Sequence, residues 1–268
     1  MSARLDPITI ADTHEFEGKL EGLEFFKKPA ILLSAGVPDI RPHTADMTVA
    51  EREYMHALCT RYIQMSQPAA IRSAVLEITK TALRRKVQLI FGAHPMISPT
   101  VLDVARNTGA GAASILIFQS EFFAGQIPGS TLDLANWSAG RLFFTPRQHA
   151  SRDYEARTRS LTTMRTLMVS PNNLLGAIFV GGMDGLEEEA RLFQSTHQKL
   201  PCYAIASTGS AALDLFNRGS RNWTPGTAHE FAGSLADPDV LKGTSYSLIA
   251  RKILDDMRVP TPGRTARP

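Results

Sequence analysis

The sequence predicts an α/β fold of three layers, a mainly parallel sheet covered by helices on both faces. Three observations carry that expectation. Six short apolar runs, each of buried-strand length, are spaced along the chain. The segments between them mostly repeat apolar residues with the period of a helix face, and strands alternating with helices build parallel sheets buried on both sides. Glycine or small polar residues follow five of the six runs, at the carboxyl ends where such sheets bind ligands.

Bulk properties narrow the function classes. At 268 residues with 43% hydrophobic content, the chain can bury a sizeable core. A net charge of +3 with no Lys/Arg block argues against a nucleic-acid partner. No apolar stretch approaches the ~20 residues of a membrane span, and no signal peptide is expected because Met1–Ile10 lacks a continuous apolar core. The chain reads as cytoplasmic, and Cys59 and Cys202 have neither metal-ligand spacing nor a reason to pair. Residues 1–29 read as an N-terminal extension, 30–258 as one domain and 259–268 as a disordered basic tail.

The first strand is Ala30–Leu33, left by a loop Ser34-Ala-Gly-Val-Pro38. Val49–Gln64 reads as a helix, and Pro68 opens the next one with Ile71, Val75, Ile78 and Ala82 on one face. Strand two is Val87–Phe91, ending in Gly92-Ala-His94-Pro95; a helix from Ser98-Pro99 stops near Gly109. Strand three, Ser114–Phe118, ends in Gln119-Ser120. Glu121–Gly140 is the least regular part and reads as a lid or a packed surface loop. Arg141–Phe144 is a short fourth strand, and Ser151–Met168 a helix with Leu161, Met164, Leu167 and Met168 as its apolar stripe. Leu174–Val180, then Gly181-Gly182, then Leu186, Ala190 and Phe193 at helical spacing make strand five, a glycine turn and a helix. Cys202–Ala206 is strand six, with Ser207-Thr208-Gly209 opening a helix that runs through Phe216. Tyr246, Ile249, Ala250, Ile253, Leu254 and Met257 form a last amphipathic helix, from which homo-oligomerisation is expected.

Five of these strand ends converge on one edge and suggest a nucleotide-sized pocket. Its expected ligand-binding residues are Ser34, Gly36, Gly92, His94, Gln119, Ser120, Arg165, Gly181, Gly182, Met183, Asp184, Thr208 and Gly209. Asp184 serves equally as the N-cap of its helix, with Glu187 completing a capping box. Thr208 caps its helix or sits where helix amides hold a phosphate. Arg165 lies beside Met164 and Met168, near the core edge, whereas Arg152, Arg157 and Arg159 read as solvated. Glu188 is either dipole-compensating or a base. No cofactor and no metal is expected beyond a nucleotide-derived ligand.

The stretches Ile31–Asp39 (ILLSAGVPD), Leu89–Pro99 (LIFGAHPMISP), Phe118–Phe123 (FQSEFF), Ile178–Phe193 (IFVGGMDGLEEEARLF) and Ser207–Leu213 (STGSAAL) together resemble the SLOG superfamily. This Rossmann-like group includes the Lonely Guy phosphoribohydrolases. The resemblance spans Ala30 to Phe216 and is closest to a subgroup found in prokaryotic defence and conflict loci. It implies one of two activities. Lonely Guy enzymes cleave the N-glycosidic bond of nucleoside monophosphates with the motif PGGxGTxxE and an upstream arginine. Here only Gly181, Gly182 and Glu188 keep the motif's residue types, and the arginine falls on Met164, with Arg165 one place off. An enzyme of this kind would use Glu188 and Arg165. The second implication is sensing: SLOG domains of systems such as Thoeris bind cyclic ADP-ribose isomers made by a TIR-domain enzyme. That implies a nucleotide-derived ligand, a TIR-domain or effector partner, and no turnover. A scaffold with a vestigial pocket is a third reading.

Overall fold

The computed structural model describes residues 8–9, 28–40, 47–127, 129–137, 139–148, 153–221, 223–224, 227 and 229–259. The strands are β1 (Ile8–Thr9), β2 (Ala30–Gly36), β3 (Gln88–Gly92), β4 (Ile115–Ser120), β5 (Gly140–Thr145), β6 (Leu174–Gly181) and β7 (Cys202–Ala204). They form one seven-stranded sheet in the order β1-β5-β4-β3-β2-β6-β7, and every pairing is parallel. The expected α/β architecture is therefore present, with one strand more than the apolar runs indicate. That strand lies inside the expected N-terminal extension: Ile8 and Thr9 pair with Phe143 and Phe144 at the sheet edge. Two residues are too short for any periodicity to reveal.

The helices are α1 (Val49–Met65), α2 (Pro68–Arg84), α3 (Ser98–Thr108), α4 (Gly129–Asn136), α5 (Tyr154–Val169), α6 (Asp184–Thr196), α7 (Ser210–Ser220) and α8 (Tyr246–Asp256). Pro68 occupies the first turn of α2, where its missing N–H costs nothing. Helices α8, α2, α3 and α4 pack as a row on one face, and α5, α6 and α7 on the other. Phe91, Phe118, Phe143 and Phe179 are fully buried between the layers. Truncating any of them to alanine is expected to cost about 3–5 kcal/mol.

Several boundaries move for physical reasons. β2 runs on through Ser34-Ala35-Gly36 instead of breaking into a loop, because Phe179, Val180 and Gly181 of β6 continue the ladder beside it. The segment expected as an irregular lid is helical: a 3-10 turn, Glu121–Gln126, precedes α4. The last helix spends its apolar stripe inside the chain. Ile249, Ala250, Ile253 and Leu254 are buried with α8 against α2, so that stripe is not left over for self-association. The tail expected over 259–268 lies outside the described residues except for Val259, which is buried and donates its N–H to Leu254 O at 2.9 Å. Cys59 and Cys202 are buried free thiols. Among the described residues no helix is long and apolar enough to cross a membrane.

The chain runs outward from β2 through β3 and β4 to β5, then returns over α5 to β6 and continues the other way to β7. The order therefore reverses between β2 and β6. In parallel sheets the crevice for a ligand opens at that switch point, beyond the carboxyl ends of the strands.

Candidate functional site

At the switch point β2 and β6 end side by side, with Gly36 and Gly181 in register. The Gly182 N–H donates to Gly36 O at 2.7 Å and ties the two ends together. Gly181 and Gly182 both adopt left-handed φ, +60° and +76°. A Cβ on Gly181 would sit 2.7 Å from Gly36 O, and one on Gly182 2.6 Å from Leu186 Cδ1. The pair therefore turns the chain inside a space no side chain fits. α6 begins immediately afterwards, with Met183 and not Asp184 at the N-cap and no side-chain cap. Leu186 and Glu187 return their N–H groups to Met183 O, which closes the first turn. Among the described residues the amides of Met183 and Gly185 donate to no carbonyl, so this helix end keeps anion-binding capacity.

Two connected lobes lie above this end. The larger, of about 390 Å³, is bounded by Ser34, Asp39, Gly92, His94, Gln119, Phe123, Gln126, Arg157, Leu161, Met164, Arg165, Met183 and Glu189. The smaller, of about 130 Å³, sits over the helix end between Ser34, Gly36, His94, Arg165, Gly182, Met183, Gly185 and Glu189. Arg165 reaches in from α5 and sets its Nη2 against Gly185, where any Cβ would overlap it. Its Nη1 pairs with Glu188 Oε2, and its Nε donates to Glu189 Oε1 at 3.3 Å. The two carboxylates then part company. Glu188 turns to α5 and accepts from Thr162 Oγ1 at 2.6 Å, outside both lobes. Glu189 lines both lobes and accepts from the Ser34 hydroxyl. Burial raises the Glu189 carboxyl above its ordinary range, against the opposing pull of Arg165 and Ser34.

His94 Nδ1 accepts the Met96 N–H at 3.2 Å. That places the proton of the neutral ring on Nε2, which faces Gly36 at the junction of the lobes. Burial pushes the imidazole down to about 4, with Asp39 opposing, so the ring stays neutral and donates from Nε2 near pH 7. Gln119 is buried; its Oε1 accepts from the Ser120 N–H at 2.9 Å and its Nε2 lies 3.5 Å from Ala93 O, a weak bond that leaves donor capacity for a ligand. Phe123, Leu161, Met164 and Met183 make the apolar wall.

A family model described as the SLOG cluster3 family covers residues 61–231. The chain is a SLOG cluster3 protein. The matched span begins within α1, so β2 with Ser34 and Gly36 precedes it. Membership supports a nucleotide-related role, as a binding module or as a glycosidase. No curated protein matches the chain.

The SLOG fold brings together eight of the residues singled out in the sequence: Ser34, Gly36, Gly92, His94, Gln119, Arg165, Gly182 and Met183. The others stand apart from the lobes. Ser120 Oγ accepts the Phe122 N–H and caps the 3-10 turn. Gly181 shapes the turn from beneath, and Asp184 occupies the first turn of α6 without bordering either lobe. Thr208 is a buried strut, donating to Ile205 O at 2.6 Å and accepting from Gly181 N at 2.9 Å. Gly209 packs against the backbone carbonyl of Met65, with Gln67 N donating to Thr208 O nearby. The end of β7 is thus covered by the α1–α2 junction and supplies no lining residue.

Sequence reasoning missed Glu189, Asp39, Phe123, Gln126 and Arg157. The signal for Arg157 was present: Arg157, Leu161, Met164 and Arg165 fall at i, i+4, i+7 and i+8, one face of α5. Glu189 is Gly185 plus four on α6, hence on the glycine's face.

A wider groove of about 790 Å³ opens at the opposite edge, near the amino end of β7, between residues such as His197, Cys202, His229 and Asp256. Its chemistry-bearing groups are committed internally. Burial pushes the Cys202 thiol up to about 12. Asp256 Oδ2 accepts from Tyr203 OH at 2.5 Å and from Ser234 N at 2.8 Å. His229 accepts the Phe231 N–H at Nδ1 and meets Ser220 Oγ at Nε2. Size alone does not make it the site.

Proposed function

We propose that this SLOG protein binds a nucleotide-derived ligand of the ADP-ribose type at the β2–β6 switch point and acts as the sensor of a bacterial anti-phage defence system. The observation that carries the reading is the commitment of Glu188. The carboxylate that matches the hydrolase motif is held by Arg165 and Thr162 outside the cavity, whereas the groups inside it are suited to binding. Helix amides and Arg165 suit a phosphate, Gln119 and the neutral His94 suit ribose oxygens, and Phe123 with Met164 suits a base. The signal then leaves through self-association or a separate effector protein, with a TIR-domain enzyme as the source of the ligand in the cytoplasm.

The test is thermal shift followed by mass spectrometry on the same samples, with cyclic and linear ADP-ribose compounds, NAD and nucleoside monophosphates. A ligand at about one hundred times its Kd adds about 2.7 kcal/mol to stability, enough for a clear rise in Tm. A shift with the ligand recovered intact supports sensing; no shift with any compound refutes it.

One observation favours a second reading, an N-glycosidase. Glu189 is a carboxyl with raised pKa inside the cavity, the condition for a general acid or base. Free base accumulating with wild type and not with Glu189→Gln would establish that reading in place of the first.

A further inference from the structure

The charge inventory of the smaller lobe points to the kind of phosphate it accepts. Among the described residues Arg165 is its only charged cationic lining group, since His94 is neutral. That one positive charge already faces two carboxylates, Glu188 and Glu189, and Glu189 lines the lobe itself. The first turn of α6 adds Asp184 and Glu187. In the larger lobe Arg157 from α5 is offset by Asp39 from the segment after β2. A ligand phosphate therefore meets helix amides, the His94 Nε2–H and an arginine whose charge is spent. It also meets a carboxylate that Ser34 and Arg165 hold in place.

A terminal phosphomonoester loses its second proton near pH 6 and is a dianion at neutral pH. A phosphodiester, or either phosphate of a pyrophosphate diester, carries a single charge. The dipoles of a helix end are equivalent to only about half a positive charge. A single negative charge is therefore compensated only in part by the helix end, with the His94 Nε2–H beside it, and a second falls against Glu189.

We propose that the smaller lobe selects a singly charged phosphodiester or pyrophosphate diester over a doubly charged terminal phosphomonoester, with Glu189 as the specificity-determining residue. The inference rests on the nucleotide-binding reading above and deepens it: the phosphate is internal to the ligand, as in an ester flanked by two sugars, and is not its free end. The assignment rests on placement: Glu189 lines the lobe and is held there by the Arg165 Nε–H at 3.3 Å.

Two probes with the same base and sugar test it, adenosine 5′-monophosphate and its phosphomethyl ester, titrated calorimetrically at about pH 8, where the first is a dianion. Wild type is expected to bind the methyl ester about tenfold more tightly or better, the scale of one uncompensated charge at a partly buried site. In Glu189→Gln the preference should fall to about threefold or less through a gain in monophosphate affinity. Equal affinity of wild type for both probes overturns the proposal while leaving nucleotide binding intact, and so does an unchanged preference in the variant. Should the variant not fold, the wild-type ratio alone decides. If neither probe binds either protein, the nucleotide reading fails and this inference fails with it.

Discussion

Gly185→Ala sets two effects of opposite sign against each other. Gly185 lies in the first turn of α6, where alanine ordinarily gains up to about 1 kcal/mol of helix propensity over glycine. Here the new Cβ would overlap the Arg165 guanidinium, which must withdraw by about 1 Å to regain van der Waals separation. Arg165 is the far end of a flexible side chain, so it moves and the backbone stays. The cost falls on its hydrogen bonds to Glu188 and Glu189. All three side chains are mostly buried, at 14%, 24% and 14% exposure, so solvent replaces little of the loss. Charge-assisted hydrogen bonds of this kind are worth about 1.5–3 kcal/mol. The loss wins, and the variant should be less stable by about 1 kcal/mol, a fall of about 2–4 °C in Tm for a chain of this size. In an Arg165→Met background the clash disappears and the same substitution should become neutral or stabilising, giving a coupling of about 1–2 kcal/mol between the positions. Thermal and urea unfolding of the four proteins measure it. A rise in stability of equal size in both backgrounds would refute the seating of Arg165 on Gly185.

Other outcomes follow from the same geometry. Thr208→Val should cost about 1–3 kcal/mol in urea unfolding, because the buried Gly181 N–H loses its acceptor; an unchanged midpoint would show that Thr208 is no strut. His94 is held neutral by burial, with its affinity for protons lowered from 6.5 to about 4. Its contribution to stability is therefore present above about pH 6.5 and is lost as pH falls towards 4, where the unfolded chain takes up the proton first. His94→Gln should flatten that part of the stability profile, and an NMR midpoint for the ring near 6.5 would contradict the assignment. Deleting residues 244–268 should unfold the domain by stripping α8 from α2, as read by circular dichroism; a folded product with altered mass would instead make α8 an assembly element.

The sheet was legible in the sequence because parallel strands buried on both faces read as apolar runs, and Leu174–Val180 is the clearest of them. The glycine pair was legible for a related reason, since few structures other than a tight turn place two glycines between a strand and a helix. Which carboxylate enters the cavity was not. Glu187, Glu188 and Glu189 are consecutive, about 100° apart around the helix, and only the rotation of α6 against α5 distributes them to Tyr62, to Thr162 with Arg165, and to Ser34 with Arg165. Thr208 and Gly209 looked like site residues because turn chemistry and ligand chemistry use the same side chains. Their burial depends on the α1–α2 junction, more than 140 residues earlier, as the bond from Ser210 Oγ to Tyr62 O shows with a separation of 148. No local pattern carries that information.

A nucleotide-derived ligand seated at the switch point between β2 and β6, as proposed, would be reported by the amides around it. Amide chemical-shift mapping of the labelled protein, titrated with ADP-ribose and its cyclic forms, tests that placement most directly. Perturbations are expected at Ser34–Val37, Gly92–His94, Gln119 and Gly182–Glu189, and Arg165→Met should abolish them. Shifts confined to His197–Cys202 and His229–Ser234, around the wider groove at the opposite edge, would contradict that placement.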